Sequence, residues 1–197
     1  MPRYFSKFPK LSYNGSLATD ILTRISTLRG NIDSNAIFYT YDIQEGDTPE
    51  LIASKYYGDP ELHWVVLIFN DMYDPFYDWP MTYQQFVEYI NDKYGSQAAA
   101  LSQVHHYEKI ITSTDGSSGQ MTTTNYIVDQ NTYINVASSS TTSTFPNGSS
   151  VTIDVSKQTI DCYTYEQGLN ESKRQIKLIK SNLVNDVRKQ FEFLMGA

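Results

Sequence analysis

Residues 39–80 constrain the fold of this 197-residue chain more than any other stretch. Apolar and polar side chains alternate over residues 39–44, which is the pattern of a half-buried strand. A Glu-Gly-Asp turn follows, and Thr48 then stands where a helix cap is expected, directly before Pro49 at the first helical position. The sequence therefore predicts a strand, a tight turn and a helix in close succession.

The same signals recur a few residues later and predict a second helix. Gly58 fits a left-handed end to the first helix, and Asp59 and Pro60 again supply a cap and a first helical residue. The run from Trp64 to Phe69 is apolar on nearly all sides of a helix. We therefore expect the second helix to be buried.

This order of elements resembles a LysM domain. The residues that carry the resemblance are the GDT turn, the segment IA-x-KYYG, a tryptophan early in the second helix and an asparagine followed by a proline. The chain departs from the family over residues 76–81, which replace the usual ending Gly-x-x-Leu-x-Ile-Pro. The resemblance therefore implies a glycan groove in vestigial form only, lined by Asp47, Thr48, Asn70 and Asp71.

Nearly the whole chain is also similar to a narrower family, the LysM-domain-containing baseplate wedge subunits of contractile-tailed bacteriophages. The likeness lies in an N-terminal arm beginning MPRYFSKFPKLSYNGS, one internal LysM-like module, a helix at WPMTYQQFVEYINDKYG and a polar β tail. It implies a structural virion protein of the tail baseplate, assembled in the host cytoplasm, that clamps neighbouring wedges together. The implied partners are other wedge and hub-proximal proteins in a hetero-oligomeric assembly.

Composition narrows the classes of partner. A formal net charge of −7 and a pI near 4.9 argue against binding to nucleic acid or to anionic membranes. The sequence contains no apolar run long enough to span a bilayer, and the N-terminus MPRYFSKFPK lacks the hydrophobic stretch of a secretory signal. Cys162 is the single cysteine, so an internal disulfide is excluded and a reducing compartment is expected.

The chain is predicted to be an α+β protein with a LysM-like βααβ module, flanking helices, a small antiparallel β region and a long C-terminal helix. Its predicted parts are an extended arm over residues 1–16, a helix, the module and a following helix over 17–95, a β-rich region with a Ser/Thr-rich loop over 96–169, and an amphipathic helix over 170–197. Apolar positions from Leu17 to Leu28 recur at three- and four-residue steps, which predicts the first helix. Thr82 and Gln85 form a capping box for the helix that ends near Gly95.

The predicted β-rich region consists of short runs dominated by Thr, Val, Ile and Tyr, which favour strands. These runs cover residues 106–112, 122–128, 132–136, 151–155 and 158–165. A polar stretch of low complexity, residues 137–150, is expected to be a mobile loop, and residues 96–104 fit either a linker or a helical extension. We expect the strands to form a small antiparallel meander.

The last predicted element is one helix, with its cap at Asn170 and its end at Gly196. Apolar residues step along one side of it, and basic residues flank them, so this seam fits a partner about as well as the chain's own core. The predicted partner-binding residues are Tyr4, Phe5 and Phe8 of the arm and Ile176, Ile179, Leu183, Val187 and Phe191 of the helix. If the helix serves docking, a chain lacking residues 171–197 stays folded and no longer assembles.

No set of side chains is arranged for catalysis. His63 is interpreted as a packed or surface residue, and His105 and His106, adjacent in a strand, point to opposite faces unless a bulge intervenes. Cys162 is interpreted as a small buried hydrophobe in a strand, and the aspartates within residues 71–78 as caps of helices and turns. The chain is therefore predicted not to be an enzyme and to need no metal or cofactor.

Two alternatives to a structural baseplate role stay open from the sequence. One is a peptidoglycan- or chitin-binding LysM protein, in which the Asp47-Thr48 turn and the loop from Asn70 to Pro75 line a shallow groove. The other is a cell-wall hydrolase targeted by the LysM module, which requires residues 105–165 to be catalytic. The Ser/Thr-rich composition of that region offers no candidate residues, so both alternatives rank below the structural role.

Overall fold

The structure, a computed structural model, describes residues 8–20, 37–74 and 77–194. The chain divides into two compact units. Unit 1 contains Met1–Thr82 and Asn170–Ala197, and unit 2 contains Tyr83–Leu169. Unit 2 is therefore inserted into the sequence of unit 1.

Unit 1 begins with a β-hairpin where the sequence predicted an arm and a helix. Strands β1 (Lys10–Tyr13) and β2 (Ser16–Thr19) pair antiparallel. Asn14 and Gly15 make the turn, both with positive φ (50° and 77°), as two-residue hairpin turns require. The predicted helix is thus wrong at its start, since Leu17 lies in β2. The rest of that helix and the anchors Tyr4 and Phe5 lie outside the described residues.

The central part of unit 1 follows the sequence prediction closely. Strand β3 (Phe38–Asp42) leads into helix α1 (Pro49–Tyr57), which Thr48 caps and Gly58 ends with a φ of 71°. Asp59 then caps a 3₁₀ turn (Pro60–Leu62), which leads into helix α2 (His63–Phe69). The buried residues of α2 are Trp64, Val65, Val66 and Phe69.

The strand that completes unit 1 comes from the far end of the chain. Strand β8 (Gln175–Ile179) pairs antiparallel with β3, from Phe38 opposite Ile179 to Asp42 opposite Gln175. A 3₁₀ turn (Ser181–Leu183) and helix α7 (Val184–Leu194) follow. The hydrophobic core of unit 1 contains Phe8, Ile43, Ile52, Ala53, Leu62, Trp64, Val65, Val66, Phe69, Ile176, Leu178, Ile179, Val184 and Phe191.

The single C-terminal helix predicted over residues 170–197 is therefore wrong. The apolar residues of the segment Gln-Ile-Lys-Leu-Ile fit the two-residue period of a strand as well as the period of a helix. The segment forms a strand because pairing of β8 with β3 satisfies backbone hydrogen-bonding groups of both strands. Asn170 does not cap α7. Its side chain joins the segments that flank unit 2, because Met81 N–H donates to Asn170 Oδ1 (2.7 Å) and Asn170 Nδ2 donates to the Met81 carbonyl (3.1 Å).

Unit 2 begins with helices α3 (Tyr83–Tyr94) and α4 (Gln97–Ser102), the second of which resolves the linker-or-helix alternative in favour of a helix. A four-stranded antiparallel sheet follows, in the order β5-β4-β7-β6. Its strands are β4 (Val104–Asp115), β5 (Met121–Val128), β6 (Ser139–Thr144) and β7 (Ser150–Asp161). The predicted antiparallel pairing is confirmed, but the predicted meander is wrong, because β4 pairs with β7 and β5 does not pair with β6.

Three local predictions in unit 2 are wrong. Residues 132–135 of the predicted run 132–136 lie in helix α5 (Gln130–Asn135), because Asp129 accepts hydrogen bonds from two backbone amides of the first turn of the helix. The expected loop 137–150 contains strand β6, which pairs with β7. The last predicted strand ends at Asp161, and Cys162 begins helix α6 (Cys162–Ser172), whose residues from Asn170 onward belong to unit 1.

The core of unit 2 lies among its helices rather than on its sheet. Its buried hydrophobic residues are Phe86, Ile90, Ala100 and Cys162. None of residues 101–161 is buried, so all four strands leave both faces at least partly accessible. We call strands β4 to β7 the open sheet. No helix in the described part of the chain has both the length and the apolar character to cross a bilayer.

Candidate functional site

Two turns of unit 1 carry the predicted groove residues, and we call them the first and second turns of unit 1. The first, between β3 and α1, is fixed by the Asp47 carboxylate. Oδ2 accepts hydrogen bonds from the Tyr41 hydroxyl (2.6 Å) and the Gln44 backbone N–H (3.1 Å), and Oδ1 lies 2.8 Å from Lys55 Nζ. Asp47 is buried, with a relative exposure of 9%. Thr48 next to it caps α1 by accepting the Leu51 N–H. Both residues predicted for the groove therefore hold their own turn together.

Burial opposes ionisation of Asp47, but the hydrogen bonds from Lys55, Tyr41 and Gln44 outweigh it and hold the pKa of the carboxyl below its usual range. The hydrogen bond from Tyr41 to Asp47, together with burial, raises the pKa of Tyr41 to about 12. The carboxylate thus stays ionised and the phenol protonated near neutral pH. This arrangement suits a fixed structural anchor and suits proton transfer poorly.

The second turn of unit 1, at the end of α2, is fixed by the amide of Asn70. Its Nδ2 donates to the carbonyls of Val66 (2.8 Å) and Lys177 (2.9 Å), and its Oδ1 accepts the Lys177 N–H (2.8 Å). The side chain thereby pairs with β8 as a neighbouring strand would. Asp71 beside it adopts a φ of 55° and accepts a hydrogen bond from the Tyr73 hydroxyl.

Trp79 is bound at the Asp47 turn. Its indole N–H donates to the Asp47 carbonyl (3.1 Å), and its half-buried ring packs against the core of unit 1. Of the four predicted groove residues, Asn70 and Asp71 also line a surface pocket of about 280 Å³ with Asp78 and Lys173, among others. Trp79, on the segment that departs from the LysM ending, is the contact that sequence reasoning missed here.

The predicted partner-binding residues that the structure describes converge on one cluster in unit 1. Phe8 lies against Phe191 (ring centroids 6.3 Å apart), and Phe191 lies against Trp64 (4.5 Å). Ile176 and Ile179 are buried in β8, with exposures of 1% and 3%. Leu183 and Val187 are half-buried against the same core. These residues thus belong to the hydrophobic core of unit 1 or pack against it.

Unit 2 contains a buried carboxylate that the sequence did not single out. Glu166, with 7% exposure, accepts hydrogen bonds from Lys93 Nζ (2.7 Å), the Tyr94 hydroxyl (2.9 Å) and the Tyr89 hydroxyl (3.1 Å). The spacing of Tyr89 and Lys93, four residues apart on α3, was the available signal, but their partner on α6 lies far away in sequence. We call these four residues the Glu166 cluster.

The two adjacent histidines are brought together by an irregularity in β4. The register with β7 shifts between Val104 and His106, and His105 Nδ1 lies 2.8 Å from His106 Nδ1. The His105 ring stacks on Tyr165 with 3.6 Å between centroids. Within residues 8–20, 37–74 and 77–194, no three His, Cys, Asp or Glu side chains stand close enough to share a metal ion.

Comparisons with known proteins place these features in a family context. The profile of a bacteriophage family described as base plate wedge protein 53 matches residues 15–192. The chain is also similar to the baseplate wedge protein gp53 of enterobacteria phage T4, with 29% identity over 154 residues that cover 74% of this chain and 67% of that protein. The family match includes both turns of unit 1, the Glu166 cluster and the open sheet.

Proposed function

We infer the role of this chain from its family, because it belongs to the base plate wedge protein 53 family of bacteriophages. It is a structural subunit of the baseplate wedge and is located in the tail baseplate of the virion. We propose that it clamps neighbouring wedges to one another through contacts with other wedge and hub-proximal proteins. On this proposal it performs no catalysis.

One observation carries the clamping proposal: no residue between 101 and 161 is buried. A sheet of this size normally buries one face against a core, because isolated β-structure is marginally stable in water. The open sheet instead keeps large apolar side chains exposed, including Ile127 (74%), Met121 (67%) and Tyr126 (50%). Tyrosine and methionine are enriched at protein interfaces, so partner proteins are the natural cover for this sheet.

Unit 1 supplies the rigid part of the proposed clamp. We propose that it is a LysM-like module whose final strand is β8, separated from α2 by the insertion of unit 2. The order β3, α1, α2, β8 and the antiparallel pairing of β3 with β8 support this assignment. The bond of Trp79 to the Asp47 turn supports a module that holds no sugar, since the chain's own indole occupies the space beside that turn.

The clamping proposal is tested by assembling baseplates from the other wedge proteins with and without this chain. We expect single wedges without it and joined wedges when it is added, as judged by sedimentation and electron microscopy. Wedges that join equally well in its absence would contradict the proposal. Co-sedimentation of the chain with insoluble peptidoglycan serves as the second arm, in which we expect no retention.

A further inference from the structure

The outer edge of strand β5 is the least protected backbone in the open sheet. Among the strands that the structure describes, β5 lies at one end of the sheet order and pairs only with β4. Its residues Met121 to Ile127 are all exposed. A strand in this position presents a row of backbone N–H and C=O groups without a neighbouring strand.

The hairpin formed by β4 and β5 determines which backbone groups of β5 point outward. The Asp115 N–H donates to the Gln120 carbonyl (2.9 Å), so this pair is a hydrogen-bonded pair of the ladder. Hydrogen-bonded and non-hydrogen-bonded pairs alternate along antiparallel strands. Counting along the register from that pair, Thr122, Thr124 and Tyr126 bond inward to β4.

The outward backbone groups of β5 are accordingly those of Met121, Thr123, Asn125 and Ile127. Side chains approach more closely across a non-hydrogen-bonded pair. The hydroxyls of Thr112 and Thr123 lie 3.2 Å apart across the ladder, which agrees with this alternation.

Strand β5 also lacks the features that usually keep an edge from pairing. Its sequence, MTTTNYIV, contains no charged residue and no proline. Natural edge strands are commonly protected by lysines, prolines, bulges or short length. The opposite edge, β6, is shorter and is followed closely by Pro146. An unprotected edge of eight residues promotes aggregation of a free protein. In an assembly, the same edge can pair with a strand of a partner.

We propose that the outer edge of β5 receives an extended segment of another baseplate protein, which adds a fifth strand to the open sheet. This proposal rests on the structural role proposed above and names its mode of contact. The backbone groups of Thr123, Asn125 and Ile127 dictate an extended partner, and the absence of charge on β5 favours an uncharged one. A second copy of the chain is disfavoured as the occupant, because it carries the same net charge of −7.

The matched pair Ile127→Pro and Ile127→Ala tests this contact. Both substitutions remove an exposed side chain, but proline also removes the outward N–H and places its ring where the added strand would lie. The inward bonds of β5 to β4 are made by other residues of β5, so neither substitution removes their donors or acceptors. We expect Ile127→Ala to enter baseplates almost as the parent chain does, and Ile127→Pro to enter about tenfold less well or worse.

Amide hydrogen exchange of the unmodified chain gives a second measurement that does not depend on the folding of a variant. We expect the β5 amides to exchange rapidly in the isolated chain and to become protected in assembled baseplates. Unchanged exchange in baseplates that contain the chain would overturn the proposal, as would equal incorporation of the two variants. A dimer of the isolated chain that Ile127→Pro abolishes would also overturn it, by assigning the edge to a second copy. Baseplates that assemble without the chain would overturn the structural role itself.

Discussion

A chain that ends at Ser172 is expected to lose the folded core of unit 1. Such a chain lacks β8 and α7, and with them the buried residues Ile176, Leu178, Ile179, Val184 and Phe191. Each of these side chains contributes about 1.5–3 kcal/mol when it is fully buried. Their combined loss is comparable to the entire stability of a small domain, about 5–15 kcal/mol. The sequence-based expectation that such a truncation leaves the chain folded is therefore reversed.

Tryptophan fluorescence reports on this prediction selectively, because Trp64 and Trp79 are the two tryptophans of the chain and both belong to unit 1. We expect red-shifted emission and no cooperative transition in urea for the truncated chain. The control is Phe193→Ala in the full-length chain, since Phe193 is 81% exposed and its loss should leave the transition unchanged. Addition of a peptide of residues 173–197 should restore the native emission. A truncated chain that unfolds at the same urea concentration as the parent would refute the assignment of β8.

Replacement of Glu166 by alanine is expected to destabilise unit 2 by about 2–3 kcal/mol. The substitution leaves Lys93 and the hydroxyls of Tyr89 and Tyr94 without their shared acceptor. This loss lies at or below the lower end of the range for broken buried ion pairs, about 3–5 kcal/mol, because the Lys93 side chain is 45% exposed and water hydrates it. Glu166→Gln keeps an acceptor for these donors and should recover part of the loss.

The Glu166 cluster also makes the stability of unit 2 depend on pH. Burial opposes ionisation of Glu166, but its hydrogen bonds to Lys93, Tyr94 and Tyr89 outweigh burial and lower its pKa from the ordinary value of 4.5. The folded state thus favours the ionised form. The stabilisation is complete above pH 4.5 and is lost as the pH falls through the lower pKa of the folded state.

The pH dependence is measured as hydrogen exchange of α3 and α6 between pH 7 and acid, in the parent chain and in Glu166→Gln. Other carboxyls of unit 2, such as Glu108 and Asp161, also have lowered pKa values, so both proteins should weaken in acid. The difference between the two proteins isolates Glu166 and should shrink below pH 4.5. A difference that stays constant throughout this range would show that the carboxylate charge contributes nothing.

Local sequence signals predict those elements whose conformation depends on residues nearby in the sequence. The caps at Thr48 and Asp59 and the left-handed Gly58 act within a few residues of themselves, and the structure confirms each of them. The Asn14-Gly15 turn is equally local and is a strong hairpin signal. The sequence nevertheless favours a helix here, because apolar residues after Leu17 recur at steps of three and four residues.

The errors concern residues whose conformation is decided by distant partners. The five residues of β8 are a strand because β3 lies beside them, although β3 precedes them by well over a hundred positions in the sequence. The apolar residues at 176 and 179 fit a helix seam equally well, and no local signal separates the two periods at this length. The strand propensity of Thr, Tyr, Ile and Val favours a strand over 132–136, but the cap at Asp129 overrides that weak preference.

The two turns of unit 1 show the same division between local and distant information. The resemblance to a LysM domain implies a role for Asp47 and Asn70, but their partners Lys55, Trp79 and Lys177 can be identified only from the fold. Polar residues at turns are expected to bind either a ligand or their own backbone, and sequence does not separate these uses. The geometry supports the second use for both residues.

The most direct test of the structural role is a cryo-electron microscopy map of the intact tail baseplate at side-chain resolution. We predict that this chain lies between adjacent wedges and contacts proteins of both, with the open sheet covered by protein. We also predict that Trp79 remains bonded at the Asp47 turn, with no oligosaccharide between the two turns of unit 1. A map in which the chain contacts one wedge alone, leaves the open sheet in solvent or holds a glycan between those turns would contradict this account.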